Sequence, residues 1–222
     1  MTDSTDPPTT REPVRVLVLS ASLRQDSLNS TLARLTARCF EGNDAIVECR
    51  SMSDFAMPLF DQDDEDATGF PSGAEALRTM LDQHDAFVIV SPEYNASMPG
   101  SLKNAIDWLS RFRPQPFNER QCMLLSASPS MVGGNRGLWA LRIPLEHLGA
   151  RVYPDMFSLS QANSAFDEGG ELVNSDLHAR LHQTVAAFMD LVEAAKHYPC
   201  VKSAWVEFLG EKPDPTFDRV DA

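Results

Sequence analysis

The sequence lacks the segments and the charge that would place the chain in a membrane or on nucleic acid. No apolar run among the 222 residues approaches the length of a membrane-spanning helix, about 20 residues. Residues 1–13 are polar and contain prolines, so we expect no secretory signal there. With 19 Lys and Arg against 32 Asp and Glu, the net charge of −13 disfavours anionic surfaces. We therefore expect a cytoplasmic protein with no nucleic-acid partner and no membrane partner.

Clustered metal ligands and redox cysteine pairs are also missing. The four cysteines include no C-x-x-C pair, which argues against a zinc knuckle or a dithiol redox centre and favours reduced, packed thiols. His178 and His182 are four residues apart, but no third ligand lies near them in the sequence. We interpret them as a surface pair and predict no metal site.

Three common catalytic motifs are absent. No G-x-G-x-x-G follows the first apolar run and no G-x-x-x-x-G-K-[ST] occurs, which argues against a Rossmann nicotinamide domain and a P-loop nucleotidase. The segment 126–128 lacks the G-x-S-x-G pattern of many serine hydrolases. The sequence is 43% hydrophobic, which is enough for one substantial core and does not demand a second domain.

Apolar runs and segments of helical periodicity alternate along the chain. Such alternation predicts a doubly wound parallel α/β sheet with helices on both faces, and five strands suit the flavodoxin-like order 2-1-3-4-5. The segment 51–71, with its acidic run 61–66, is interpreted as a solvated loop rather than a cation site. A capping box of Ser72 and Glu75 is expected to start the second helix. The predicted strands are 14–19, 45–50, 86–91, 122–126 and 152–157, and the predicted helices are 28–39, 73–83, 100–111, 138–148 and 176–195.

The loop after the first strand has the composition of an anion site. Ser22, Ser27 and Asn29 can donate hydrogen bonds beside the amides of a helix start, and Arg24 adds positive charge. These groups suit a terminal monophosphate. The alternative, in which Ser and Asn only cap the helix and the arginine is solvated, stays open.

The loop after the third strand, Pro-Glu-Tyr-Asn, suits a flat heteroaromatic ring. Pro92 and Tyr94 offer apolar surface, while Asn95 and backbone amides can meet ring carbonyls and nitrogens. Glu93 is favoured as a capping or ion-pairing carboxylate over a catalytic group. Because the predicted order places strands one and three side by side, both loops meet in one crevice. Together they predict a phosphorylated planar cofactor.

A third loop, after the fourth strand, contains two adjacent glycines. Gly133 and Gly134 indicate a close approach of the backbone to a neighbour, with a flexible turn as the alternative. Arg136 is predicted to pair with a carboxylate, either in the same chain or across subunits.

Three motifs together resemble the NAD(P)H-dependent FMN reductase family, and especially its bacterial quinone and chromate reductase branch. They are S-A-S-L-R-x-x-S-x-N from Ser20, P-E-Y-N-x-S-x-P-G-x-L-K-N-A-I-D-W from Pro92, and G-G-x-R from Gly133. Ala21 stands where the family usually has glycine. The resemblance implies a flavodoxin-like FMN-binding domain over 14–197, between a disordered segment 1–13 and a C-terminal extension 198–222 whose apolar stretch 204–209 could dock on a surface.

The resemblance also implies which residues hold FMN. The phosphate would be held by one group in the first loop, the isoalloxazine ring by a second group, and Ser128 would touch the flavin from the third loop. The phosphate group is Ser22, Arg24, Ser27, Leu28 through its backbone, and Asn29; the ring group is Pro92, Glu93, Tyr94 and Asn95.

The implied activity is oxidoreduction without a catalytic side chain, since the flavin carries the chemistry. Hydride from NADPH or NADH would pass through FMN to a small-molecule electron acceptor with ping-pong kinetics. Quinones, flavins, azo or nitro compounds and chromate-like oxyanions are all candidate acceptors, and a homodimer or homotetramer is expected. Two alternatives stay open: a flavodoxin-like electron carrier without NAD(P)H activity, and a noncatalytic FMN-binding regulator.

Overall fold

A computed structural model of the protein describes residues 11–197. The predicted C-terminal extension 198–222 and most of the predicted N-terminal segment 1–13 lie outside the described residues. The described chain forms a parallel sheet with helices packed on both faces.

The sheet has six strands, all parallel to their neighbours, in the order β2-β1-β3-β4-β5, with β6 also pairing with β4. The predicted fold class and strand order are therefore confirmed. Every residue of β3 and β4 is buried, as expected for central strands covered on both faces. The strands are β1 (Arg15–Ser20), β2 (Ile46–Ser51), β3 (Ala86–Val90), β4 (Gln121–Ala127), β5 (Arg151–Val152) and β6 (Phe157–Leu159).

The helices divide between the two faces of the sheet. On one face α1 and α6 pack together, with the rings of Phe40 and Phe188 in an edge contact at 6.1 Å between centroids. On the other face α3, α4 and α5 bury a second apolar layer that includes Trp108 and Leu138. The helices are α1 (Leu28–Glu41), α2 (Gln62–Thr68), α3 (Ser72–Asp82), α4 (Gly100–Leu109), α5 (Asn135–His147) and α6 (Ser175–His197).

The predicted fifth strand, 152–157, is wrong in its extent. The structure has two short strands instead, β5 and β6, which lie one after the other along β4. Pro154 lies between them and has no N–H to continue the ladder. Arg142 donates to the carbonyls of Val152 and Tyr153 at 3.3 and 3.1 Å, so a side chain takes the place of strand pairing there.

The acidic run was predicted as a loop, and this prediction is also wrong. Most of it forms α2, which begins where the carboxylate of Asp61 accepts a hydrogen bond from the amide of Asp63 at 2.9 Å. Acidic residues in a first helical turn complement the helix dipole. Glu65 receives a hydrogen bond from Arg111 at 2.9 Å, which ties α2 to the end of α4.

The capping box predicted for α3 does not form. The helix already begins at Ser72, so Pro71 is the N-cap residue and no side chain caps the helix. Proline fixes its own φ and thereby sets the entry of the chain into the helix without a polar cap.

The cysteines that the structure describes are free thiols. Cys39 and Cys122 are buried and Cys49 is exposed. Burial raises the pKa of the Cys39 thiol to about 11, so this thiol is protonated near neutral pH. Cys200 lies outside the described residues.

His178 and His182 lie side by side on α6, with ring centroids 4.5 Å apart. His178 faces Glu171 at 3.3 Å and His182 faces the sulfur of Cys39 at 3.6 Å. Within residues 11–197 no three His, Cys, Asp or Glu side chains are arranged to hold a metal ion. None of the helices in that range is long and apolar enough to cross a membrane.

Candidate functional site

The loops that follow β1, β3 and β4 meet at the carboxyl edge of the sheet. Ser20 at the end of β1 pairs in register with Val90 at the end of β3. The amide of Ala21 donates to the carbonyl of Val90 at 2.9 Å, and the amide of Ser91 donates to Leu125 of β4, also at 2.9 Å. The two loops singled out in the sequence therefore border one crevice, as predicted, and the third loop adjoins it.

In the first loop, two buried serines hold the turn and keep their hydroxyl hydrogens available. Ser22 is 3% exposed and accepts from the amide of Arg24 at 3.3 Å, while Ser27 is 5% exposed and accepts from the amide of Asn29 at 3.2 Å. Ser27 is thereby the N-cap of α1. Because both hydroxyl oxygens act as acceptors here, each can still donate to a ligand.

The start of α1 also has polar groups without a protein partner. Among the described residues, neither the backbone amide of Leu28 nor the exposed guanidinium of Arg24 has a hydrogen-bond acceptor. A helix N-terminus with unpaired amides, two hydroxyls and a positive charge is the donor set that a phosphate group requires. The residues present therefore fit the phosphate end of FMN.

Asn29 has a structural task besides the one expected of its side chain. Its amide nitrogen donates to the carbonyl of Ala127 and its amide oxygen accepts from the Ala127 amide, both at 2.9 Å. Asn29 is 4% exposed, so this pair of bonds fastens the start of α1 to the end of β4. The side chain positions the loop through these two bonds, and its amide nitrogen carries a second hydrogen that can still donate.

The second loop makes a tight two-residue turn. Tyr94 and Ser97 exchange backbone hydrogen bonds at 2.9 and 3.0 Å, and the two residues between them, Asn95 and Ala96, have φ values of 52° and 60°. Positive φ is tolerated by asparagine but is unfavourable for alanine. The ring of Tyr94, just before these two residues, lies at the surface, where it is 49% exposed, while Pro92 at the base of the loop is buried.

Glu93 is an ion-pairing and capping carboxylate, as favoured from the sequence. It receives hydrogen bonds from Arg136 at 2.9 Å and from the amide of Gly137 in the first turn of α5 at 3.1 Å. Burial of this carboxyl acts to raise its pKa, but the bonds from Arg136 and Gly137 outweigh burial and hold the pKa below its ordinary value. The partner of Arg136 is thus found within the chain.

The third loop comes close to its neighbours at both glycines. A methyl group on Gly133 would lie 2.9 Å from the backbone of Leu159, and one on Gly134 would lie 1.9 Å from the hydroxyl of Ser126. The prediction of close backbone approach is confirmed. Ser128 is half-buried and donates its hydroxyl to Ser130 at 3.0 Å.

Several positioning residues escaped the sequence reading. The buried hydroxyl of Ser126 has no partner among the described residues and lies under the N-terminus of α5. Ala127 and Gly137 contribute only backbone groups. Any residue type can make such a contact, so the sequence does not reveal it. Ala21, the departure from the family pattern, is not among the residues with positive φ, so the conformation does not require glycine.

The fold and these loops define a class of protein: a doubly wound α/β protein with a crevice for a phosphorylated, planar cofactor at its topological switch point. A family model described as NADPH-dependent FMN reductase matches residues 14–164, more than half of the chain. The chain therefore belongs to this family. The predicted family, the oxidoreductase class, and the use of FMN with a nicotinamide donor are confirmed at this level.

Individual relatives agree with the family assignment. The chain is 34% identical over 187 residues to a quinone reductase of Escherichia coli K12, covering 83% of this chain and 98% of the relative. It is 35% identical over 176 residues to an NAD(P)H-dependent FMN reductase of Pseudomonas aeruginosa, covering 78% and 92%. Among solved structures, the flavoenzyme NAD(P)H:(acceptor) oxidoreductase FerB of Paracoccus denitrificans superposes with a TM-score of 0.71 at 28% identity, covering 81% and 97%.

Proposed function

We propose that this protein is a quinone reductase that uses FMN and NAD(P)H. The observation that supports the proposal most directly is the set of unpaired donors at the start of α1, beside the crevice between the loops after β1 and β3. The similarity to quinone reductases supports the acceptor class. The net reaction converts NAD(P)H, a quinone and one proton into NAD(P)⁺ and the hydroquinone.

The residues proposed to hold FMN are those singled out in the sequence, with their tasks now divided. Ser22, Ser27, Arg24 and the amide of Leu28 would donate to the phosphate. Asn29 would act by fixing the phosphate loop to β4. The ring group and Ser128 would border the isoalloxazine, with Pro92, Tyr94 and Asn95 facing it and Glu93 contributing through its backbone.

When bound, FMN supplies a ring that takes up hydride from NAD(P)H and returns two electrons to an acceptor. The protein has to hold that ring, orient it and stabilise the charge that develops at its polar edge. The backbone amides of Asn95 and Ala96 would serve this purpose, since those of Tyr94 and Ser97 form the bridge that locks the turn. Glu93, bound to Arg136 and α5, keeps that loop in place.

Donor and acceptor are proposed to use the same face of the site in turn, which gives ping-pong kinetics. We further propose a homodimer or homotetramer and a cytoplasmic location. The domain is proposed to span 14–197, with 1–13 and 198–222 as flanking segments.

Anaerobic spectroscopy tests the proposed function. The purified protein should be yellow, and NADPH or NADH should bleach its visible absorption within seconds, after which a quinone should restore it. Persistent colour after both nicotinamides would favour the flavodoxin-like carrier. A bleached protein that no quinone reoxidises would favour an FMN-binding protein without this activity.

The matched pair Ser27→Ala and Ser175→Ala tests the phosphate loop. Ser27 lies in the proposed phosphate cradle, whereas Ser175 is an exposed serine at the start of α6, outside the crevice. The first variant should weaken FMN binding by about tenfold, the value of about one charge-assisted hydrogen bond. The second should bind FMN like the wild type, and equal behaviour of the two would contradict the assignment.

A further inference from the structure

A cleft of about 550 Å³ opens beside the proposed FMN crevice. One wall is Leu23 in the phosphate loop, the second is the segment 52–59 that follows β2, and the third is the N-terminus of α4. The first and third walls continue directly from the two loops assigned to the cofactor. We call this the Leu59 cleft, lined among others by Leu23, Met52, Phe55, Met57, Leu59 and Ser101.

The walls of the Leu59 cleft are held rigidly. The side-chain amide of Asn104 on α4 donates to the carbonyl of Pro58 and accepts from the amide of Phe60, both at 2.8 Å. The indole of Trp108 donates to the same Pro58 carbonyl at 2.9 Å. A pocket fixed by such bonds loses little entropy when a ligand enters.

The lining of the cleft is apolar and uncharged. Thioether, aliphatic and aromatic side chains dominate, and the polar groups are two serines and the already bonded Asn104. At its mouth, Leu23 is 59% and Leu59 is 81% exposed. Exposed leucines beside a concave apolar site lose contact with water when a ligand binds, which favours binding.

We propose that the Leu59 cleft is the binding site for the electron acceptor, and that it selects neutral, planar aromatic acceptors over oxyanions. This inference rests on the proposed function. The residues that line the cleft offer no positive charge to an oxyanion such as chromate. A two-ring quinone fits within the cleft and matches its polarity.

A charge introduced at Leu59 separates the two acceptor classes. Leu59→Lys should raise the KM for 1,4-naphthoquinone by about tenfold, because one lost apolar contact in a pocket is worth about that factor. The same variant should raise kcat/KM for chromate. Since Leu59 is largely exposed, the substitution leaves the core intact.

Ile143→Lys is the matched control. Ile143 is 73% exposed on α5 and does not line the cleft, so it carries the same change of charge elsewhere. It should leave the KM for naphthoquinone unchanged. An equilibrium titration of the oxidised holoprotein with naphthoquinone, without NAD(P)H, should show the same tenfold difference in Kd between the two variants.

Three measurements keep the outcomes distinct. Equal naphthoquinone affinity in both lysine variants overturns the acceptor site. A fall in molar mass by light scattering for Leu59→Lys alone also overturns it, since the cleft then holds a second copy of this chain. A wild-type protein that NAD(P)H does not bleach refutes the proposed function itself, and the ligand-binding titration still reports on the cleft.

Discussion

Replacement of Gly134 by alanine probes how tightly the third loop is built. Gly134 is the N-cap residue of α5 and has φ 83° and ψ 13°, in the left-handed region. A methyl group there would lie 1.9 Å from the hydroxyl oxygen and 2.9 Å from the β-carbon of Ser126. Ser126 is 0% exposed on the central strand β4, so it has no free space into which it could move.

The expected cost has two parts. A left-handed conformation costs a residue with a β-carbon about 1–2 kcal/mol. Overpacking a dense region adds about 1–3 kcal/mol. Gly134→Ala should therefore lower the free energy of unfolding by about 2–5 kcal/mol. It should also weaken FMN binding, because the displaced start of α5 carries the Gly137 amide and Arg136 that hold Glu93.

Urea unfolding separates the conformational cost from the cost of the clash. It compares Gly134→Ala, Gly170→Ala, Ser126→Gly and the double variant Ser126→Gly/Gly134→Ala. Gly170→Ala is the control, since Gly170 also has a positive φ of 76° but a methyl there would meet only the Thr31 side chain at an ordinary 3.5 Å. It should lose only the conformational part, about 1–2 kcal/mol. Ser126→Gly should restore at least about 1 kcal/mol to Gly134→Ala in a double-mutant cycle. A cost equal to that of Gly170→Ala, with no coupling to Ser126, would contradict the clash.

Three further substitutions test the loops, each by urea unfolding and FMN titration. Asn29→Asp places a carboxylate oxygen against the carbonyl of Ala127 and should lower the free energy of unfolding by about 2–4 kcal/mol. An unchanged stability would contradict the role of Asn29 in fastening α1 to β4. Glu93→Gln should cost about 2 kcal/mol at neutral pH. Because the folded pKa of Glu93 lies below the ordinary 4.5, its stabilising effect is complete above that pH and is lost as the pH falls through the folded pKa. The difference in free energy of unfolding between the wild type and Glu93→Gln should therefore become smaller at acidic pH. Ala96→Gly relieves a positive φ of 60° and should stabilise the protein by about 1 kcal/mol, and a loss of stability would mean that the turn is not strained.

Strand order and helix placement could be read from the sequence because they depend on burial. The central strands are continuous apolar runs, and the helices show a single apolar face, so local periodicity carries the information. The alternation of the two then restricts the topology to a parallel, doubly wound sheet.

The missed elements depend on contacts between distant residues. Arg111, from the end of α4, pairs with Glu65 and ties α2 to the rest of the domain. The interruption between β5 and β6 depends on Arg142 of α5, which takes up the strand carbonyls. The sequence does carry one local signal for α2, Asp61 before an acidic first turn, but the segment has no apolar periodicity, which favoured a loop. The contact of Arg142 has no local pattern, so periodicity favoured a continuous strand.

The candidate site shows the same division. Residue types and their spacing identified the polar loops, and the strand order predicted that they meet. Asn29 binds the backbone of Ala127, 98 positions away in the chain, and Glu93 binds the backbone amide of Gly137, 44 positions away. Sequence alone assigns such side chains to a ligand as readily as to the protein.

The structure therefore separates the polar residues of the crevice into two sets by what their hydrogen-bonding groups already bind. Asn29 and Glu93 have their polar atoms engaged within the protein and fasten two loops to β4 and α5. Ser22, Ser27 and Arg24 retain donors that face no described acceptor. Buried donors without partners are unfavourable unless a ligand or water accepts from them. Loss of an engaged residue should thus lower stability first, whereas loss of a residue with free donors should lower FMN affinity first.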